Sequence, residues 1–141
     1  MLGLGAVTLS SDVVLDTDNA DGTDTEGGQI VFTSSAPLDS QSSEHNNLSL
    51  DAGTAAIIFN ENLGETQSLG SFTITQANAG VIFGGADTEI VGTSTTGPVN
   101  VLNTDGAIDI GSSSVIGGAG IVLNGGGLDL TIQTTGDAIR F

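Results

Sequence analysis

Ile30-Val31-Phe32, Ile57-Ile58-Phe59 and Val81-Ile82-Phe83 repeat one pattern, two aliphatic residues and a Phe, at steps of 27 and 24 residues. Looser apolar-x-apolar triplets continue the series at Ile108-Asp109-Ile110 and Leu128-Asp129-Leu130, after steps of 27 and 20 residues. Self-similarity at a period of about 20 to 50 residues marks an array of stacked units. Each triplet follows a second apolar segment that closes on Leu15-Asp16, Leu50-Asp51, Ile74-Thr75, Leu102-Asn103 or Leu123-Asn124, and a glycine (Gly22, Gly53, Gly80, Gly106, Gly125) separates the two. Asp, Asn and Gly tolerate the left-handed backbone of tight turns, so the unit reads strand, polar residue, turn, strand.

Further strands are expected at Phe72-Thr73-Ile74-Thr75, Glu89-Ile90-Val91 and Val99-Asn100-Val101-Leu102. Alternation at Leu48-Ser49-Leu50 and from Leu128 to Ile132 puts apolar groups on one side and polar groups on the other. Two or three short strands per repeat predict an all-β, right-handed parallel β-helix (a β-solenoid) of about five or six rungs, roughly 25 to 30 Å long at the ~4.8 Å strand spacing. The whole of 1–141 is then one domain, a repeat segment of a longer chain or fibre, with Phe32, Phe59 and Phe83 stacked inside it. A β-sandwich or jelly roll is the alternative, since it too uses short strands at close intervals, but nothing in it requires phased triplets. The polar stretches 17–28 and 34–47 are expected to project as loops from the first rung, where recognition usually resides.

Composition narrows the function classes. Seventeen carboxylates face a single Arg140, a formal net charge of −16, and phosphate recognition needs the opposite sign. Nucleic-acid and anionic-lipid partners are therefore disfavoured, and no apolar run is long enough to insert in a membrane. Without cysteine, stability has to come from packing and backbone ladders. The ends are short and apolar, and Ile139-Arg140-Phe141 repeats the triplet form. Such ends leave unpaired strands that invite pairing, so the expected partner is more of the same polypeptide or a neighbouring copy, end to end.

The acidic run Asp16, Asp18, Asp21, Asp24 and Glu26 is the candidate metal site, with calcium the candidate cofactor, because closely spaced carboxylates in a Gly-containing loop supply oxygen ligands. It is not an EF-hand: counting Asp16 as the first position puts Asp21 where the invariant glycine belongs, and Gly22 comes one residue late. The stretch from Asn124 to Asp129 is a poor match to the calcium-binding nonapeptide of β-rolls, with one glycine too few and no tandem copy. No catalytic residues are expected. Asn103-Thr104-Asp105 resembles an element of β-helical pectin hydrolases, but no adjacent Asp-Asp pair, Gly-His-Gly or Arg-Ile-Lys accompanies it. His45, in a polar run, has no second His or Cys at metal-ligand spacing and is the only imidazole available to any serine. Thr73-Ile74-Thr75 and Thr93-Ser94-Thr95 raise a flat Thr array as an alternative, and Asn47-Leu48-Ser49 is a formal glycosylation sequon.

The stretch Leu48-Ser49-Leu50-Asp51-Ala52-Gly53-Thr54-Ala55-Ala56-Ile57-Ile58-Phe59-Asn60, continuing through Leu63-Gly64 to Leu69-Gly70-Ser71-Phe72-Thr73-Ile74-Thr75, resembles the repeat unit of giant bacterial β-strand-repeat surface proteins, the filamentous-haemagglutinin-like and autotransporter-like adhesin exoproteins. The resemblance implies export to the bacterial cell surface, a β-helical shaft and a non-catalytic role in adhesion or surface fibres. The long acidic inserts depart from that repeat. They keep open a carbohydrate- or cell-binding module as the second expectation and a glycan-active enzyme, working through Asp105 or Asp109, as the third.

Overall fold

The structure is a computed structural model and describes residues 2–4, 6–18, 26–33, 37–84, 101–110, 120–123 and 131–141. Regular elements among the described residues are all β-strands, and none is a helix long and apolar enough to cross a membrane. Three strands make the first turn: β1 (Leu2–Leu4), β2 (Val7–Leu9) and β3 (Val13–Asp16). The second turn repeats them as β4 (Ile30–Phe32), β5 (Leu38–Ser40) and β6 (Leu48–Asp51). In the third, β7 (Ile57–Phe59) and β8 (Phe72–Gln76) flank two isolated bridging residues, Leu63 and Leu69. The fourth has β9 (Val81–Phe83), β10 (Val101–Thr104) and β11 (Ile108–Ile110), and the fifth β12 (Ile121–Leu123), β13 (Thr131–Thr134) and β14 (Ile139–Arg140).

Each turn but the third sends one strand to each of three faces; the third turn reaches the second face only through isolated bridges. The first face runs β1-β4-β7-β9-β12 and the third β3-β6-β8-β11-β14. The second pairs β2 with β5 and β10 with β13, joined through bridges from Leu63 to Leu38 and to Leu102. All pairings are parallel, which is the pattern of a chain that coils and not of the antiparallel hairpins that build a sandwich or jelly roll. The fold is all-β and parallel, of the general solenoid type.

Register explains the triplets. Ile30, Ile57, Val81 and Ile121 lie opposite one another along the first face, as do Phe32, Phe59, Phe83 and Leu123. The Phe59 ring stacks on Phe32 and Phe83 with centroids 5.0 and 4.9 Å away and planes within 10° of parallel, so the rings follow the strand spacing. Phe72 of the third face meets Phe59 edge-on at 5.7 Å. These rings, with Leu38, Leu48, Leu50, Leu63 and Ile74, form the buried interior. Val31 and Ile58 are also buried, in a separate cluster with Ala56 and Ile82. The first face is thus apolar on both sides, as parallel sheets covered on both sides are.

Three expectations need correction. Ile108-Asp109-Ile110 does not continue the Phe series: it pairs with Phe72-Thr73-Ile74 on the third face, and Ile121-Val122-Leu123 takes the place above Val81-Ile82-Phe83. Leu102 and Leu123 likewise leave the face shared by Leu15, Leu50 and Ile74, Leu102 for the second and Leu123 for the first. An apolar-x-apolar triplet has the same two-residue period on any face, so pattern alone does not say which ladder it joins. The stretch 34–47 is not simply a projecting loop, because its Leu38–Ser40 segment is β5, with Leu38 and Ser40 buried. One apolar residue, Leu38, anchors a strand whose outward Asp39 accepts hydrogen bonds from the Thr66 and Gln67 amides of the next turn. Glu89–Val91, Thr93–Thr95 and Leu128–Leu130 lie outside the described residues.

Polar stacks hold the corners. Asp12 accepts from the Asn47 amide (2.8 Å) and from its side-chain Nδ2 (2.9 Å), and Asn47 Oδ1 in turn accepts from the amide (2.7 Å) and hydroxyl (2.8 Å) of Ser71. The sequon asparagine is therefore a rung-to-rung clamp. On the same corner, a Cβ on Gly70 would stand 2.5 Å from both Asn47 Oδ1 and the His45 carbonyl, which only glycine avoids.

Candidate metal centre

The acidic corner is built by strand register. β3 and β6 are adjacent on the third face, and their pairing sets Leu15 against Leu50 in the interior and Asp16 against Asp51 at the strand ends. Backbone then turns away from the face at both levels. Asp16 Oδ1 accepts from the Asp18 amide (3.0 Å), and Asp51 Oδ1 accepts from the Gly53 amide (2.9 Å). These side-chain-to-backbone turns carry Asp18 back over its own strand end. One oxygen from each of Asp16, Asp18 and Asp51 then falls within 4.8 Å of the others.

Gly53 makes the approach possible. Its φ is +54°, and a Cβ there would lie 2.3 Å from the Glu26 carbonyl oxygen and 2.5 Å from the Asp18 Cβ. Gly27 is pressed as closely against the Ala52 carbonyl. The returning strand is held by Thr17, whose hydroxyl donates to the Gly28 carbonyl (2.7 Å) and accepts from its amide (3.1 Å). From the third turn, Thr75 donates to Asp51 Oδ2 at 2.7 Å.

Like charges set directly opposite each other on adjacent strands destabilise a sheet. Here the Gly53 amide and the Thr75 hydroxyl spread the charge of Asp51, and the three carboxylates can take one divalent cation between them. Three side chains are fewer than the six to eight oxygens that calcium collects, so backbone and water would have to complete the shell.

Of the residues expected to form the site, Asp16 and Asp18 are brought together, and Glu26 stands exposed outside the cluster, its carbonyl accepting from the Thr54 amide. Asp21 and Asp24 lie outside the described residues. The third member, Asp51, is 35 residues from Asp16, too far along the chain for a scan of local acidic runs to join the two. Its signal is nonetheless present in the repeat, because Leu15-Asp16 and Leu50-Asp51 occupy equivalent places.

The remaining candidates make contacts within the coil. Thr104 is buried and donates to the Gly106 carbonyl at 2.6 Å, while Asp105 accepts from the Thr135 hydroxyl of the next turn. Asp109 lies 3.8 Å from Arg140 on the neighbouring strand. His45 Nδ1 is 2.9 Å from the Ser68 hydroxyl in an exposed pair. Thr73 has Ser49 and Asp109 as its ladder neighbours, so no Thr rank forms around it.

Compared with protein-family models, curated proteins and solved structures, the chain matches none.

Proposed function

We propose that this chain is a non-catalytic shaft segment of a bacterial cell-surface or extracellular filament or adhesin, wound as a right-handed parallel β-helix. The observation that carries the reading is the parallel pairing of five successive strands on each of the first and third faces, with one register shift, between Leu50 and Asp51. Such an object is quasi-one-dimensional and extends by adding rungs. Right-handed winding follows from the twist of L-peptide strands, which makes parallel connections within a sheet right-handed in about 98% of cases. The carboxylates of an enzymatic reading are engaged in holding adjacent rungs, Asp105 by Thr135 and Asp109 by Arg140, which supports a structural role. Negative-stain electron microscopy of the purified chain over a range of concentrations tests the proposal. Rods of constant width and variable length are expected; compact particles of one size at every concentration would overturn it.

A second reading concerns the corner of Asp16, Asp18 and Asp51, which we read as a calcium clamp between the first two turns. Its ligands come from both turns, so an ion bound there would resist their separation. Isothermal titration with calcium and with magnesium, in the wild type and in Asp51→Asn, tests it.

A further inference from the structure

We draw no further inference here: the strongest candidate, the outward apolar rank of the first face, where Val31 and Ile58 are buried beside Ala56 and Ile82, carries nothing because no described residue shows what covers it.

Discussion

Phe59 shows what a single side chain does in this coil. It is fully buried, with a ring stacked on either side and Phe72 at its edge, so its ring stack spans three of the five turns. Phe59→Ala removes that volume from a rigid stack and is expected to cost about 3 to 5 kcal/mol in chemical denaturation. Val14→Thr, at an exposed outward position, is expected to stay within about 0.5 kcal/mol of wild type. Gly53 is a different kind of residue. Gly53→Ala keeps the chain's polarity but puts a methyl against the Asp18 Cβ at a positive φ, so a loss above about 1 kcal/mol is expected. Asp12 supplies the pH dependence that can be signed. Its hydrogen bonds from the Asn47 amide, then from the Asn47 side chain, hold its pKa below the ordinary 3.8 against a small opposing effect of desolvation. A lowered folded-state pKa stabilises the fold above the unfolded value, and the contribution is lost as pH falls from about 3.8 through the folded value. Asp12→Asn should therefore flatten the acid side of a plot of melting temperature against pH, measured from about pH 5 to about pH 2.

At the scale of elements, the three faces are not equally strong. The first and third have five consecutive strands each, whereas the second crosses the third turn through isolated bridges at Leu63 and Leu69. Leu63 is buried and bridges Leu38 to Leu102, and Leu69, also buried, bridges to Thr104, so isolated contacts replace a strand. Hydrogen exchange should find amides of β4, β7 and β9 protected longest and those between Asn60 and Ser68 opening first, since opening follows local ladder density. Uniform protection across the three faces would contradict that order. The acidic corner belongs to this scale too, because it joins β3 to β6. If calcium binds there, calcium at 100 times its dissociation constant stabilises the fold by about 2.7 kcal/mol, and Asp51→Asn should remove most of the rise in melting temperature. An equal rise in the variant would place the effect elsewhere on this acidic surface.

For the whole molecule, a coil of parallel faces is combined with a net charge of −16 that opposes the approach of copies. Those two terms predict salt-dependent assembly. Screening of like charge at about 0.15 M ionic strength, where the Debye length is about 8 Å, should lengthen rods relative to about 0.01 M. Light scattering across a salt series checks this, and assembly that weakens steadily with salt would mean that attraction between copies outweighs the global repulsion.

Much of this is legible in the sequence because the physics is periodic. Phased triplets at 27 and 24 residues require equivalent positions, and equivalent positions in a parallel ladder sit one strand apart, so the stack of Phe32, Phe59 and Phe83 follows from the spacing alone. The acidic run around Asp16 is equally visible as a candidate. What only the tertiary structure decided is which face each strand joins. Ile108-Asp109-Ile110 and Ile121-Val122-Leu123 share the apolar-x-apolar form, and only hydrogen-bond register sent the first to the third face and the second to the first. The same register brought Asp51 beside Asp16 and Asp18 across 35 residues of chain, because carboxylate geometry depends on which strands are neighbours and sequence distance carries no record of that.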